Sequence, residues 1–310
     1  MNLVTILIPT YNRPQYLKIA LKSVLNQTYK NFEIIISDNS PNDETESMVK
    51  SFNDPRIIYF HDPKGNADSN WEFLRHYNNM NSEWIHWLMD DDAWKPNHLK
   101  RLLTLYLNNP SVTLISSCSV QIDENGNFKD NVFPLGRRAI KSRGDEIGRA
   151  LLTNYGNFVG MPSNILIRKN SLRYGDNACW SEEDRGFFPL IDLSTWFQLL
   201  SKGNYIYIPE ILTYQREHAK KASYFEGMHL EWAIDHYVFT QRAWEQKIFL
   251  TTRKEVNDAI NGMFFYQAQE NLDYARENGI RNDRVKLLKQ MVQAAKDFLK
   301  GSRDLPKFKI

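Results

Sequence analysis

The feature that most constrains this fold is a regular alternation of short apolar runs and helix-like segments over the first 120 residues. Val4 to Ile8 is a β-branched run of strand length, and Pro14 opens a segment whose apolar residues recur at helical spacing. Four further strands are expected at Phe32–Ser37, Arg56–Phe60, Glu83–Leu88 and Val112–Ser116. This alternation predicts an α/β fold with a mostly parallel central sheet and helices on both faces.

Polar residues follow three of these strands at the point where each strand ends. The clusters are Thr10 to Arg13, Asp38 to Ser40 and Asp90 to Asp92. In open α/β sheets, ligands bind beyond the carboxyl ends of the strands. We therefore expect all three clusters to lie at one rim of the sheet.

The triplet Asp90-Asp91-Asp92 is the strongest local feature of the sequence. Three adjacent carboxylates repel one another and are tolerated either in water or beside a cation. Magnesium and manganese favour carboxylate and phosphate oxygens, so the triplet could hold a metal diphosphate. A solvated turn ahead of Pro96 is the alternative. The preceding strand and the two other rim clusters favour the metal site.

Asp38 follows an apolar strand and allows two interpretations. Its carboxylate could accept a hydrogen bond from a base N–H, such as N3–H of uracil. It could instead form an Asx turn with Asn39 and Ser40, a frequent use of these residue types. Spacing alone favours the turn.

Charge and composition narrow the function classes. The formal net charge of +2 is too small to indicate nucleic acid as the main partner. The two cysteines, Cys118 and Cys179, form neither a disulfide framework nor a zinc pattern. No apolar run approaches the roughly 20 residues of a membrane span. We expect a soluble protein of a reducing cytoplasm, with attachment to the inner face of the membrane left open.

From about residue 224 the pattern becomes helical, with helices expected at Gly227–Phe249, Arg253–Asn278 and Asp283–Lys300. A boundary near residue 220 would separate residues 1–220 from a helical extension over 221–310. The extension could pack on the first domain, form a homodimer or bind a partner. Its apolar residues would be buried in any of these cases. They include Phe264, Phe265, Tyr266 and Leu272.

Four segments occur in a fixed order: Pro9–Arg13, Ser23–Tyr29, Phe32–Ser40 and Asp90–Pro96. Together they closely resemble the family-2 glycosyltransferases, which have the glycosyltransferase A fold. The resemblance covers roughly residues 1 to 218. It implies transfer of a sugar from a nucleotide diphosphate to a hydroxyl, with inversion and with Mn²⁺ or Mg²⁺. It further implies a nucleotide-sugar-binding half over 1–118 and an acceptor-binding half over 119–220.

The resemblance also implies roles for single residues on the donor side. Asp38 falls at the position that reads the base, usually uracil, and Asp90 at one that approaches the ribose or diphosphate. Asp91 falls at the carboxylate that binds the metal, and His218 matches a late histidine that binds metal or diphosphate in some members. The full nucleotide-binding set is Pro9, Thr10, Tyr11, Asn12, Arg13, Asp38 and Asp90.

On the acceptor side, Asp192 aligns with the catalytic base of the family. It lies at the start of a helix, where the dipole favours an ionised carboxylate, although a residue there could also serve only to stabilise the helix. Met161 lies in a segment that resembles the acceptor side. Trp180, in a polar stretch, is our candidate for stacking on a sugar, and Asp92 completes the candidate sugar contacts.

The chain departs from the family pattern at Met89, Ser37 and Ile191, where relatives often carry carboxylates. The Gln-x-x-Arg-Trp signature of processive synthases is also absent, which implies a single transfer. The expected donor is a UDP-sugar of the glucose, galactose or N-acetylhexosamine type. The expected acceptor is a glycan, a lipid-linked sugar or a glycoprotein. A non-catalytic module that binds nucleotide sugars and a glycosidase with paired carboxylates are the rival hypotheses.

Overall fold

The computed structural model describes residues 2–77, 82–133, 138–154, 157–172, 190–218 and 228–310. The chain forms two compact units. The first comprises Met1–Lys141, Phe158–Tyr174 and Gly203–His218, and the second comprises Ser142–Asn157, Gly175–Lys202 and Ala219–Ile310. Trp180 lies outside the described residues.

A ten-stranded sheet, counted over the described residues, forms the centre of the first unit. Its strands are β1 (Val4–Thr10), β2 (Phe32–Asp38), β3 (Ile57–His61), β4 (Trp84–Trp87), β5 (Ala93–Trp94), β6 (Val112–Ile122), β7 (Phe128–Phe133), β8 (Ile140–Ser142), β9 (Ile165–Arg168) and β10 (Asn204–Arg216). The main path runs β3-β2-β1-β4-β9-β6-β10-β5, while β7 pairs with β6 and β8 with β10.

Four of the predicted strands, including the three that polar clusters follow, are parallel neighbours in the order β3-β2-β1-β4. Strands β6 and β10 are also parallel to each other. Between these two groups lies β9, which runs antiparallel to both β4 and β6. The sheet is therefore mixed, with parallel pairing wherever the polar clusters follow a strand.

Helices cover both faces of this sheet, as the alternation predicts. They are α1 (Pro14–Leu25), α2 (Glu44–Lys50), α3 (Ala67–Arg75) and α4 (His98–Asn108). Ile34 and Ile36 of β2 lie in a core cluster with apolar residues of α1, α2 and α4. The next residue, Ser37, donates through Oγ to Asn70 Oδ1 of α3, 2.6 Å away. Because successive strand side chains point to opposite faces, α3 covers the other face.

The second unit is helical. It contains α5 (Gly144–Thr153), α6 (Ile191–Leu200), α7 (Met228–Gln246), α8 (Arg253–Ala259), α9 (Phe265–Glu277) and α10 (Asp283–Leu299). Helix α5 was not predicted, because glycines interrupt the sequence pattern there. Helices α5 and α6 pack with each other, and α5 also packs with α7 and α8. The compact units have other boundaries than the domains predicted from the sequence. The predicted boundary near residue 220 and the two functional halves, 1–118 and 119–220, stay predictions.

The single helix expected at Arg253–Asn278 is instead divided by a π-helical turn at Ile260–Phe264. The turn requires glycine at position 262, because a Cβ there would lie 2.3 Å from the Thr153 carbonyl oxygen. The residues after Leu305 are held against α7. Tyr237 donates from its hydroxyl to the Pro306 carbonyl oxygen, 3.0 Å away.

Among the described residues, every helix is too short or too polar to cross a bilayer.

Candidate functional site

The carboxyl ends of β1 and β4 meet through a buried hydrogen bond. Thr10, the last residue of β1, donates from Oγ1 to Asp90 Oδ2 at 2.7 Å, although 80 residues separate them. The contact follows from the parallel register, which pairs Leu7 with Trp87 and so brings the two strand ends to the same edge. The first and third polar clusters are therefore neighbours in the fold.

Arg13 carries the positive charge of this rim. Its Nη1 lies 3.0 Å from Asp91 Oδ2, and its Nε lies 3.4 Å from Asp90 Oδ2. The side chain of Arg13 is 21% exposed, whereas both carboxylates are almost fully buried. One guanidinium thus offsets the repulsion between two adjacent carboxylates and presents its remaining N–H groups outward.

His218 approaches the same carboxylate from the end of β10. Its Nε2 lies 2.9 Å from Asp91 Oδ2 and 3.3 Å from Arg13 Nη1. The imidazole packs against the Tyr16 ring with 5.1 Å between ring centroids. The sequence left open whether His218 is merely an exposed residue in a basic stretch; it is buried beside Asp91.

Arg216 was missed as a functional residue, since in the sequence it belongs to an apparently solvated basic stretch. It is 2% exposed, and its hydrogen bonds hold the Asp-rich turn in position. Its Nε donates to the Asp91 carbonyl oxygen at 3.1 Å, and its backbone N–H donates to Asp92 Oδ1 at 3.1 Å. Asp92, predicted as a sugar contact, therefore uses that oxygen to fix the turn. The position of Arg216 at the end of a long strand is the signal that could have identified it.

The three aspartates are not a solvated turn. Asp90, Asp91 and Asp92 are 3%, 7% and 3% exposed. Burial raises the pKa of Asp90 to about 7, with a further rise from the charge of Asp91 that Arg13 and Thr10 partly oppose. A buried carboxylate whose ionisation is this costly gains from any added cation, so the turn is suited to positive charge.

Asp38 is fully buried at the end of β2, and its two carboxylate oxygens have different partners. Its Oδ1 accepts from the backbone N–H and the hydroxyl of Ser40, at 2.7 and 2.5 Å, which is the Asx turn. Its Oδ2 accepts from the Tyr59 hydroxyl at 2.5 Å. Burial and this bond raise the pKa of Tyr59. Since each carboxylate oxygen can accept about two bonds, Oδ2 has the capacity for one more donor, and the base-reading role of Asp38 stays a prediction.

The loop after β1 joins the first two clusters. Asn12 has a positive φ of 52°, a left-handed conformation that asparagine tolerates. Its backbone N–H donates to Ser40 Oγ at 2.7 Å. This turn leaves the Tyr11 ring 54% exposed directly after Pro9 and Thr10. An exposed ring at the rim offers a flat apolar face to a nucleoside.

Of the other acceptor-side predictions, Met161 belongs to the first unit, and Trp180 lies outside the described residues. Met161 is 38% exposed and precedes a short 3₁₀ turn at Pro162–Asn164. That turn is tied to the Asp-rich loop, because Ser163 Oγ accepts from the Met89 backbone N–H at 3.1 Å.

Asp192 lies in the first turn of α6, in the second unit. Its Oδ1 accepts from the Leu193 backbone N–H at 2.7 Å, and its Oδ2 accepts from Asn157 Nδ2 at 2.8 Å. Burial raises the pKa of Asp192 to about 6 despite these two bonds. The helix terminus was expected to favour ionisation, and burial outweighs it. Asn157 was missed, because no local pattern marks a residue 35 positions away as a partner.

A second carboxylate supports the start of α6. Asp235 of α7 is fully buried, and its Oδ2 accepts from the Leu190 backbone N–H at 3.2 Å. Leu190 precedes the helix, where backbone N–H groups lack helical partners. Helix α7 therefore helps to position the segment that carries Asp192.

Asp91 and His218 have the chemistry and spacing of a divalent metal site. Octahedral ligands at roughly 2.1 Å from Mg²⁺ stand about 3 Å from each other when adjacent. Asp91 Oδ2 and His218 Nε2 are 2.9 Å apart, which matches that spacing. A carboxylate oxygen and an imidazole nitrogen both suit Mn²⁺ as well. The residues present therefore fit the metal that the resemblance implies.

Comparisons with solved structures agree with this architecture. A crystal structure of residues 1–349 of TarS from S. aureus superposes with a TM-score of 0.60 at 16% identity, covering 97% of this chain and 80% of that one. The same protein in complex with UDP-GlcNAc gives a TM-score of 0.54 at 15% identity, with coverage of 99% and 82%. At these identities the likeness shows the fold, which is glycosyltransferase A.

Sequence relatives match between a third and less than half of this chain. An uncharacterized glycosyltransferase of Rickettsia bellii is 35% identical over 136 residues, which are 43% of this chain and 19% of that protein. The putative colanic acid biosynthesis glycosyl transferase WcaA of Escherichia coli is 38% identical over 105 residues, 33% of this chain and 37% of that protein. The chain thus spans less than two fifths of either relative. The model of glycosyl transferase family 2 matches residues 5–175, and the chain belongs to that family.

Proposed function

We propose that this protein transfers a single sugar from a UDP-sugar to a hydroxyl of a glycan or glycoconjugate, with inversion and with a divalent metal. The observation that carries the proposal is the convergence of Asp91, His218 and Arg13 at the carboxyl ends of parallel strands. A carboxylate, an imidazole and a guanidinium within 3.3 Å of one another form a site for a metal and a diphosphate. Neither a glycosidase nor a purely structural turn requires this combination.

The uridine of the donor is assigned to the first two clusters. Tyr11 offers an exposed ring, and Asp38 Oδ2 retains one acceptor position for the N3–H of uracil. TarS, which shares the fold, has been solved with UDP-GlcNAc, and this supports a UDP-sugar as donor. The sugar itself is of the glucose, galactose or N-acetylhexosamine type in this proposal.

The diphosphate is assigned to Arg13 and to a metal held by Asp91 and His218. When bound, Mn²⁺ or Mg²⁺ acts as a Lewis acid toward the phosphate oxygens. Arg13 contributes a fixed positive charge beside the leaving group, and its planar N–H donors suit phosphate oxygens. Thr10 and Arg216 keep Asp90 and the Asp-rich turn in position.

Asp192 is assigned as the general base. A carboxylate with a pKa of about 6 is ionised at neutral pH yet basic enough to accept the proton of an acceptor hydroxyl. The hydroxyl oxygen then bonds to the anomeric carbon as the bond to the diphosphate breaks, and the configuration inverts. Asn157 and the Leu193 N–H fix the two carboxylate oxygens during this step.

A screen of nucleotide sugars for metal-stimulated hydrolysis tests the proposal without knowledge of the acceptor. We expect a UDP-sugar to be hydrolysed, with little turnover after chelation of the metal. Once an acceptor is known, Asp192→Asn should reduce transfer at least about 1,000-fold while UDP still binds. Normal transfer by this variant would remove Asp192 from the mechanism.

A non-catalytic nucleotide-sugar-binding module is the second candidate. Met89 and Ile191, which replace carboxylates frequent in the family, favour it. Metal-dependent binding of UDP without donor hydrolysis or transfer, across the whole panel of nucleotide sugars, would support this candidate over the enzyme.

A further inference from the structure

The C-terminal end of the chain has an excess of positive charge. Residues 276–310 contain ten Lys or Arg against four Asp or Glu, whereas the other 275 residues contain 29 against 33. The chain as a whole has a net charge of only +2, so this segment is basic and the rest is acidic. Such an asymmetry indicates a partner with a negatively charged surface.

Three lysines of α10 and the lysine at its C-cap are arranged as a single stripe. Lys286, Lys289, Lys296 and Lys300 are all exposed. At 100° per residue these four positions fall within a sector of about 80°, and they extend over about 21 Å of helix. The opposite face of α10 packs into the second unit through Val285, Leu288, Met291, Ala295 and Phe298. The stripe is therefore a straight cationic edge on a helix whose apolar side is already covered.

Most of the charge of this stripe is uncompensated. Within the described part of the chain, Lys289, Lys296 and Lys300 make no ion pair, and Lys286 pairs only with the exposed Asp283 at 2.9 Å. Asp297 lies beside the stripe and accepts from Gln293 at 2.8 Å. An exposed ion pair of this kind contributes little free energy, so Asp283 does not prevent Lys286 from binding another anion.

A cavity of about 380 Å³ opens at the start of the stripe, where α9 turns into α10. Its floor is apolar, and cationic side chains surround it. The lining includes Leu272, Ala275, Val285, Arg276, Arg281 and Lys289. Among the described residues, two cations of the lining have ion pairs: Arg276 with Asp273 at 2.8 Å, and Lys286, which also lines the cavity, with Asp283. The turn therefore combines positive charge with a small apolar recess.

We propose that the stripe and this cavity dock the protein on an anionic phospholipid bilayer. Phosphate headgroups at a flat surface are complementary to lysines spread along one edge, and four to eight such cations suffice for reversible attachment. Nucleic acid fits the surface less well. The stripe is made of lysines rather than the arginines suited to bidentate phosphate contacts, and no aromatic ring lies among them to stack on a base.

Co-sedimentation of the full chain with vesicles tests the proposal, and the assay needs neither donor nor acceptor. Vesicles of phosphatidylcholine alone are compared with vesicles that contain about 30% phosphatidylglycerol, at low salt and at about 0.5 M NaCl. We expect binding only to the anionic vesicles, with loss at high salt. Equal binding to both vesicle types, or binding that resists salt, would overturn the proposal.

Variants locate the surface. Because each lysine contributes roughly fivefold to binding, the double variant K289Q/K296Q should bind anionic vesicles about 25-fold more weakly. The control K50Q/K100Q removes the same charge from exposed lysines of α2 and α4 and should bind like the wild type. Equal binding by K289Q/K296Q and the wild type would reject the stripe. Tighter binding of a DNA duplex than of vesicles would reassign it to nucleic acid.

Discussion

His218 Nε2 lies 2.9 Å from Asp91 Oδ2, although 127 residues separate the two in the chain. The contact exists because β10 returns to the sheet after the chain has formed β6 and β9. It places a carboxylate oxygen and an imidazole nitrogen side by side, which is the pair of ligands that the proposed metal site requires.

The first prediction concerns this pair. Asp91→Asn and His218→Gln should each lower metal-stimulated donor turnover about 100-fold or more, about 3 kcal/mol of transition-state stabilisation. Asp54→Asn, which alters only a surface pair with Arg56, is the matched control. Binding of Mn²⁺ followed by its paramagnetic signal should weaken in both site variants. Unchanged binding of Mn²⁺ by either variant would exclude that residue as a ligand.

The second prediction concerns Arg13. Its guanidinium is the cation nearest to Asp90 and Asp91 in the described residues, so Arg13→Gln should weaken binding of UDP by about 10- to 100-fold. Uridine lacks the diphosphate, and its weaker binding should hardly change. Calorimetry with both ligands separates the two effects. An equal loss for uridine and UDP would show that Arg13 acts through the loop fold and not through the phosphates.

The third prediction concerns pH. If Asp192 is the base, kcat/KM should fall as pH drops through about 6, because the carboxyl then becomes protonated. Asn157 donates to the ionised form and so lowers this pKa. Asn157→Ala should therefore shift the acidic limb of the pH profile to higher pH. A profile that stays in place would show that the limb belongs to another group.

The same pKa has a consequence for stability. The folded pKa of Asp192 lies above its ordinary value of 3.8, so ionisation costs stability. The cost is absent below the unfolded pKa and grows as pH rises, until it is complete above about 6. Asp192→Asn should therefore lose less stability between pH 4 and pH 7 than the wild type does, as measured by urea unfolding at roughly these two pH values.

The fourth prediction concerns the π-helical turn. A glycine-to-alanine change inside a helix usually stabilises by about 1 kcal/mol. At Gly262 the new Cβ would lie 2.3 Å from the Thr153 carbonyl oxygen, so Gly262→Ala should instead destabilise by about 1–3 kcal/mol. Asn261→Ala, an exposed position in the same turn, should be neutral or slightly stabilising. Urea unfolding measures both. A stabilised Gly262→Ala variant would show that the turn relaxes freely.

Local periodicity was enough to predict the donor side of the fold. Strands β1 to β4 and their polar ends could be placed because apolar runs, turn residues and the rule for parallel sheets all operate over short stretches. The proximity of Thr10 and Asp90 followed from that rule. The Asx turn at Asp38 was also readable from three adjacent residues.

The remainder of the site depends on contacts that sequence spacing does not encode. The antiparallel β9 enters the middle of the sheet from a segment near residue 165, and no pattern marks its neighbours. Arg216 looked solvated because its partners are backbone carbonyls 93 and 125 residues away. The pKa of Asp192 could not be judged either, since it depends on burial within a separate compact unit.

Helix α7 reaches the start of α6 through Asp235, and the turn at Gly262 abuts the end of α5. Shortening the gene to end soon after β10 would thus remove the scaffold around Asp192 while sparing every donor-side residue. Such a shortened protein is expected to bind UDP but not to transfer a sugar, so engineered truncations of this protein should keep α7 through α9.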